Sequence, residues 1–382
     1  MPRDASSDAL FTPAFFLLGL ADLAYFSAVG VSIYALPLFV TGPIGSTKAG
    51  AGIAFGAFAI SALALRPYSG RICDSIGRRP LLIGGALLAA LGLALTAFAD
   101  NLAVVIALRL LLGVAEAAFF VASLAMLVDL APQSRMGEAV SYNSLGLYLG
   151  LALGPPLGEA LVEGFGFTQA WFGSAGLAVA AAGVVLTLGE SRDHAAGVGH
   201  QKLIHRPAIP VALAFFASLV AVGGFLAFAA LQAEDVGLTR SSLPLVVYGV
   251  VVVVFRIAFA RIPDRVPPLR LGSSALSTMA IGLTMASLWH TPFGFVAGTA
   301  VMAVGVTFST PAFFSAIFAT AGPADRGAAS GTASLFIDLG LGGGPIVMGL
   351  VAQGAGIPQA MMLGAGMAAV GAAWALYLAN AS

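Results

Sequence analysis

Residues 70–79 read GRICDSIGRR, a polar stretch with four charged side chains that separates two apolar segments at about 48–66 and 80–99. A helix needs ~20 apolar residues to cross a lipid bilayer, and each flanking segment has about that length. Two such segments joined by a short charged stretch predict a pair of antiparallel membrane-spanning helices.

The composition extends this pattern to the whole chain. Hydrophobic residues make up 59% of the 382 positions, charged residues only 9%, and the mean hydropathy is +0.98. A soluble domain carries about 25% charged residues. Because the apolarity is continuous rather than alternating, a membrane β-barrel is excluded, and we predict an all-α polytopic membrane protein. Twelve apolar segments, the predicted transmembrane helices, fall at about 12–40, 48–66, 80–99, 101–127, 137–163, 169–189, 207–231, 241–262, 269–289, 292–319, 328–353 and 357–379.

Lysine and arginine are distributed unequally between the two sides of the predicted membrane. Fourteen of the 17 lie in the N-terminal segment or in the connections that follow even-numbered spans, Arg66 and Arg256 among them. The other side holds only Lys48 and Arg240, and Arg109 lies within a span. Cytoplasmic loops carry the excess of Lys and Arg, so both termini and the connector at 190–206 are predicted to be cytoplasmic.

The chain divides into two similar halves around that connector, which is the longest polar stretch. Three features recur at a displacement of 190 residues: Arg66, Asp74 and Gly154-Pro155 correspond to Arg256, Asp264 and Gly344-Pro345. Duplicated halves in a membrane protein place a substrate path along their interface near the midplane. We predict an N-terminal six-helix half over 1–189, a connector over 190–206 and a C-terminal six-helix half over 207–382.

Several classes of function are excluded or disfavoured. The 17 Lys and Arg balance the 17 Asp and Glu, which argues against nucleic-acid binding, since that requires a basic patch. The single cysteine, Cys73, allows neither an intrachain disulfide nor a cysteine metal cluster. No phosphate-binding loop is present, so ATP is not the direct energy source. His194, His200 and His205 are interpreted as part of a solvated connector, and we expect no metal and no cofactor.

The 70–79 stretch resembles the G-x-x-x-D-x-x-G-R-[KR] loop of the major facilitator superfamily, a family of twelve-helix transporters. The matching residues are Gly70, Asp74, Gly77, Arg78 and Arg79. Gly77 permits a tight turn, and Gly70 is expected to allow close helix approach. In the family the acid and the first arginine join an acid at the end of the fourth helix, a place that Asp129 occupies. The resemblance therefore implies a conformational latch; the alternative is a set of loop charges that only fixes topology.

A second motif lies in the fifth span. Gly150, Gly154, Pro155 and Gly158 match the antiporter-associated pattern G-x-x-x-G-P-x-x-G-G, with Glu159 in place of the last glycine. Within the family this pattern is linked to efflux by proton antiport, so the resemblance implies outward transport. The alternative is that the small residues and the proline only make a closely packed, bent span.

Five residues at membrane depth are candidates for proton coupling or substrate contact. Asp22 lies near the middle of the first span, three residues before Tyr25, and Asp338 near the middle of the eleventh. Glu116 follows Arg109 by seven positions, and at ~100° per residue both share nearly one helix face. Charges at such depth are costly unless they are paired or functional. They are either static buried partners or groups that exchange protons beside a cavity.

The resemblance as a whole implies a secondary active transporter that works by alternating access. We expect proton-coupled efflux of a small amphipathic drug or metabolite, driven by the proton gradient, by a monomer in the bacterial inner membrane. A proton entering would protonate Asp22 or Glu116 and loosen its contact with Arg109 or the substrate. A proton-coupled importer of a small metabolite remains the alternative. A membrane sensor or an intramembrane enzyme is disfavoured, because no output domain and no nucleophile with its base is visible.

Overall fold

The computed structural model describes residues 10–132, 135–191, 204–322 and 325–381. Within those ranges the chain is helical, with twelve long helices and no strand. The N-terminal half has α1 Pro13–Thr41, α2 Lys48–Ile76, α3 Arg78–Thr96, α4 Leu102–Leu130, α5 Met136–Phe165 and α6 Phe167–Leu186. The C-terminal half has α7 Ile209–Asp235, α8 Leu243–Ala258, α9 Pro268–Leu288, α10 Pro292–Ala319, α11 Arg326–Gly354 and α12 Ile357–Ala381.

Eleven of these helices are long and apolar enough to cross a membrane. The exception is α8, which has 16 residues and ends at Ala258, so the predicted segment 241–262 is too long. A separate helical turn, Ile262–Arg265, follows with Pro263 in its first turn. A proline cannot donate the hydrogen bond that a continuing helix requires, but it is accepted where a helix begins.

The α2 helix is longer than the sequence pattern predicts. It continues ten residues past the predicted end at 66 and stops at Ile76, so the quoted polar stretch is mostly helical. Gly77 ends it with φ 107°, and its N–H donates to the Cys73 carbonyl at 3.1 Å. Glycine adopts this backbone conformation without a steric penalty, and α3 then starts at Arg78. The expected tight turn is confirmed, and it consists of one residue.

Small residues set the closest helix contacts, as the second motif predicts. A Cβ atom added to Gly154 of α5 would lie 2.5 Å from the Cα of Gly30 in α1. In the C-terminal half a Cβ on Gly344 would lie 2.8 Å from the Cα of Val220 in α7. Helices in a membrane pack closely where glycines let their backbones approach. The repeated Gly-Pro pair therefore has the same packing role in both halves.

Because successive helices run in opposite directions, their ends fall on two faces. The face at which α1, α3, α5 and α7 begin is called the termini face, and the other is called the opposite face. Most of the predicted connector, residues 192–203, lies outside the described residues. A short 3-10 turn, Arg206–Ala208, leads into α7. The exact boundaries of the two halves stay a prediction.

Candidate functional site

Asp22 lies inside the N-terminal half and is 2% exposed. The Ser123 hydroxyl of α4 lies 2.8 and 2.9 Å from its two carboxylate oxygens, and the Asn143 amide of α5 donates at 2.7 Å. A buried carboxylate requires such donors because it has lost its hydration. Asp22 therefore ties α1 to α4 and α5 through neutral partners. No sequence pattern points to Ser123 or Asn143, since each is about a hundred residues from Asp22 along the chain.

Arg109 is buried between α4, α1 and α2. Its guanidinium donates to the Ala54 carbonyl at 3.3 Å and to the Ser32 hydroxyl at 3.2 Å, and lies 5.2 Å from the Phe58 ring centre. Among the described residues no carboxylate is within ion-pair distance of Arg109. Arg109 therefore forms no ion pair with Asp22 or Glu116 in this conformation, although Glu116 acts on it electrostatically. Seven residues on one helix are about 10 Å apart along its axis, so a shared face does not make a contact.

Tyr25 and Glu116 form the next layer of the site. Tyr25 is 2% exposed and stacks on Phe119, with ring centres 3.8 Å apart and planes 5° from parallel. Its hydroxyl interacts electrostatically with the Glu116 carboxylate. Glu116 also interacts electrostatically with Arg66 and Asp338. The predicted candidates Tyr25, Glu116 and Asp338 are thus brought to one region, together with an arginine that the sequence analysis placed in a loop.

Arg66 and Asp338 form an ion pair that joins the two halves. Arg66 Nε lies 2.6 Å from Asp338 Oδ2, and Nη2 donates to Oδ1 at 2.8 Å. The guanidinium also lies 5.0 Å from the Phe120 ring centre. Asp338 is 3% exposed. The assignment of Arg66 to a cytoplasmic loop is wrong, because α2 continues past it, and the partner of Asp338 is Arg66 rather than Arg109.

A second arginine joins the halves at the corresponding place. Arg256 also lies within a helix, α8, so its assignment to a loop is wrong as well. Its Nη2 donates to the Tyr148 hydroxyl of α5 at 3.2 Å, and its guanidinium lies 4.3 Å from that ring centre. The repeat of 190 residues relates both members of the two pairs, Arg66 to Arg256 and Tyr148 to Asp338.

The predicted latch residues meet at the termini face. Arg78 is 9% exposed, and its Nε lies 2.9 Å from Asp129 at the end of α4. Asp74 is a weaker partner at 3.5 Å, with half of its side chain exposed. The Ser191 hydroxyl also donates to Asp129 at 2.8 Å. Asp74, Arg78 and Asp129, all from the N-terminal half, are thus in contact as the resemblance implies, and their role as a latch stays a prediction.

Glu190 is a member of this network that the sequence analysis missed. It accepts hydrogen bonds from the backbone N–H groups of Arg78 at 2.9 Å and Arg79 at 3.2 Å. A carboxylate at a helix N-terminus is favourable because the unpaired N–H groups point toward it. The Arg79 guanidinium donates to the Leu186 carbonyl. A Cβ atom on Gly70 would meet nothing within 4 Å, so the expected close contact there is not made in this conformation.

Glu159 connects the halves at the opposite face. It is 1% exposed and accepts hydrogen bonds from the Ser242 N–H at 3.2 Å, the Ser242 hydroxyl at 2.7 Å and the Ser241 hydroxyl at 3.3 Å. The Tyr34 hydroxyl of α1 lies 2.8 Å from Ser241 Oγ. The residue that departs from the antiporter pattern therefore binds the N-terminus of α8 across the interface.

Further contacts close the same face. Lys48 at the start of α2 lies 3.7 Å from Asp235 at the end of α7, and its backbone N–H donates to Gln353 at 3.1 Å. A depression of about 360 Å³ reaches from outside to Tyr34 and Ser241. On the opposite face these contacts join α2 to α7 and α11, beside the Glu159 contacts that join α5 to α8.

Comparison with known proteins gives one family. A model of the Major Facilitator Superfamily matches residues 17–340. An uncharacterized MFS-type transporter of Burkholderia mallei (strain SAVP1) is 29% identical over 359 residues, covering 90% of this chain and 87% of the relative. An uncharacterized MFS-type transporter of Salmonella typhimurium (strain LT2) is 29% identical over 381 residues, covering 94% of each chain.

Solved structures share the fold at low sequence identity. The nucleoside transporter NupG has a TM-score of 0.78 and 15% identity, covering 95% of this chain and 99% of that one. The human organic anion transporter MFSD10 has a TM-score of 0.73 and 16% identity, covering 95% and 98%. At such identity the likeness is one of fold.

Proposed function

The chain belongs to the Major Facilitator Superfamily, and from this premise we propose that it exports a small amphipathic drug or metabolite in exchange for protons. It is a multi-pass membrane transporter and not an enzyme. We place it in the bacterial cytoplasmic membrane as a monomer, and two of its relatives are bacterial. The proton gradient would supply the energy, because moving one charge across 100 mV releases about 2.3 kcal/mol.

The proposed orientation places both termini in the cytoplasm, on the strength of the excess of Lys and Arg in the connections of the termini face. The opposite face is then extracellular, and the contacts of Glu159 and Lys48 close the extracellular side. Alternating access requires these contacts to break when the substrate is released outside.

The proposal of proton coupling at Asp22 is carried by its hydrogen-bond partners, which are neutral, and by the Glu116 carboxylate, which acts on it electrostatically. The hydrogen bonds to Asp22 come from Ser123 and Asn143, and among the described residues no Lys or Arg lies within ion-pair distance of it. Protonation of Asp22 would therefore break no ion pair, whereas protonation of Asp338 would break its pair with Arg66. The Asn143 Oδ1 atom is buried without a hydrogen-bond partner, so it can accept a bond from a protonated neighbour.

Proton exchange at Asp22 would act on helix contacts directly. An ionised Asp22 accepts hydrogen bonds from α4 and α5, and the loss of its charge weakens them, since charge-assisted hydrogen bonds are about twice as strong as neutral ones. The α5 helix carries both Asn143 and Glu159. A change near the start of α5 would therefore act on the same helix that carries the extracellular closure.

Everted membrane vesicles with an acidic interior test this function. The vesicles are given a panel of amphipathic compounds, and recovery of quenched acridine orange fluorescence reports exit of protons. We expect at least one compound to produce recovery with the wild-type protein and none with Asp22→Asn. Asp100→Asn, at an exposed carboxylate between α3 and α4, is the matched control and should behave as wild type.

Two outcomes would contradict the proposal in different ways. Undiminished recovery with Asp22→Asn excludes Asp22 as the proton carrier, and the Asp22→Asn, Glu116→Gln double variant then tests Glu116. A compound that moves only in the same direction as protons favours the importer. Glu159 and Asp338 become the remaining candidates if the double variant is unimpaired.

A further inference from the structure

The two arginine contacts between the halves are related by the sequence repeat but differ in charge. Arg66 meets the carboxylate of Asp338, whereas Arg256 meets the phenol of Tyr148, the residue that the repeat aligns with Asp338. One arginine is therefore neutralised across the interface, and the other keeps its positive charge. Both interfaces lie between the halves, where the path of a transported molecule is expected.

The surroundings of Arg256 do not supply the missing negative charge. In the part of the chain that the structure describes, Arg256 belongs to no ion pair. Its Nε atom is buried from solvent and has no hydrogen-bond partner. The phenols of Tyr148 and Tyr248 interact with it, by a hydrogen bond and electrostatically. A buried donor without an acceptor is unfavourable, and a partly buried cation without a counter-ion is more so.

We propose that Arg256 and Tyr148 bind an anionic group of the transported molecule, a carboxylate or a similar oxyanion. This inference rests on the proposed function as a transporter. The planar guanidinium presents two parallel N–H donors that match the two oxygens of a carboxylate. The Tyr148 hydroxyl accepts a hydrogen bond from Arg256, so its own proton is available to the same oxyanion.

A bound anion would make the two interfaces alike. Asp338 gives Arg66 a negative partner across the interface, and a bound anion would give Arg256 the same. The anion would lie between Arg256 on one half and Tyr148 on the other. The Tyr148 ring adds an apolar surface for the rest of an amphipathic molecule. Arg256 and Tyr148 are each half-buried, so part of both side chains is accessible to a ligand. The competing explanation is that the ring of Tyr148 holds Arg256 by a cation–π contact alone.

Binding of paired carboxylates and amides to the purified full-length protein separates these explanations. The probes are benzoate, 4-phenylbutyrate and 1-naphthoate, each beside its neutral primary amide, and the readout is the ligand-dependent shift of thermal unfolding. We expect at least one carboxylate to bind the wild-type protein tenfold or more tightly than its amide. Arg256→Gln should remove that difference, Arg256→Lys should keep part of it, and Arg270→Gln, at an exposed arginine, should keep all of it.

A second variant keeps the test decisive if Arg256→Gln folds poorly. Tyr148→Asp supplies the carboxylate that the repeat places opposite Arg66, so it should fold normally and lose the preference for carboxylates. The proposal is overturned if no carboxylate is preferred by the wild-type protein, or if the preference survives in Arg256→Gln or Tyr148→Asp.

The same binding measurement distinguishes this site from proton coupling. Binding at equilibrium needs no proton gradient, so Asp22→Asn should keep the preference for carboxylates. Carboxylate binding without any proton-linked movement in vesicles would refute the proposed function and leave the anion site standing. Proton-linked export of cations or neutral compounds, unaffected by Arg256→Gln, would refute the anion site alone.

Discussion

Arg66 of α2 and Asp338 of α11 meet side-on, with Nε–Oδ2 and Nη2–Oδ1 distances of 2.6 and 2.8 Å, and so connect the two halves. The side chain of Asp338 is 2% exposed and that of Arg66 is 16% exposed. Each buried charge is stabilised by the other, because neither side chain keeps its full hydration.

Removing one member of this pair should destabilise the protein more than removing both. Asp338→Asn leaves Arg66 buried without a counter-ion, and breaking a buried pair in this way costs about 3 kcal/mol or more. The Asp338→Asn, Arg66→Gln double variant should recover part of that loss. Thermal unfolding in one detergent measures both variants. Additive losses in the double variant would mean that the two charges are not coupled.

Opening of the opposite face should become easier when Glu159 is removed. Glu159→Ala leaves the Ser242 N–H and hydroxyl without their acceptor, and hydrogen bonds to a charged group are worth about 1.5–3 kcal/mol. At about 1.4 kcal/mol per factor of ten, the open state should gain tenfold or more. Ala59 of α2 packs against Gly342 of α11 behind this closure. In a Cys73→Ser background, Ala59→Cys should react faster with an external thiol reagent when Glu159→Ala is present.

The control for that measurement is Glu163→Ala, four residues further along α5 and exposed. It removes a carboxylate from the same helix without touching Ser241 or Ser242. Equal labelling rates with Glu159→Ala and Glu163→Ala would exclude Glu159 as part of the closure.

Within the network at the termini face, Asp129 should matter more for stability than Asp74. Asp129 lies 2.9 Å from buried Arg78, whereas Asp74 lies 3.5 Å away and is half exposed. Exposed ion pairs contribute about 0–1 kcal/mol to stability. Asp74→Asn should therefore leave the midpoint temperature of thermal unfolding nearly unchanged, and Asp129→Asn should lower that temperature. If the network is a latch, Asp74→Asn still reduces turnover, because it changes a conformational equilibrium. Normal turnover in both variants would reduce the motif to a topology signal.

The proposed orientation predicts which positions are accessible from outside intact cells. Cysteines placed at Lys48 or Arg240 in the Cys73→Ser background should react with a membrane-impermeant reagent, because the side with few Lys and Arg faces outward. A cysteine at His200 should react only after the cells are permeabilised. Labelling of position 200 in intact cells would reverse the orientation.

The sequence by itself determined the fold class and the residues of the first motif. Whether a segment spans the membrane depends on the hydrophobicity of its own ~20 residues. This property is local, so it can be read from the sequence alone. The one-residue turn at Gly77 follows from a local conformational requirement of the backbone. The grouping of Asp74, Arg78 and Asp129 came from a family resemblance, and the structure places these residues within contact distance.

Only the tertiary structure decided which side chains meet inside the membrane. Arg66 looks like a loop residue because charges usually mark the end of a span, yet α2 continues past it to a partner 272 residues away. Arg109 and Glu116 share a helix face, but the hydrogen bonds of Arg109 go to residues of α1 and α2. The 190-residue repeat aligns Tyr148 with Asp338. Only the structure shows that both residues contact an arginine of the other half. Such contacts depend on the rotation and depth of packed helices, which a one-dimensional pattern does not contain.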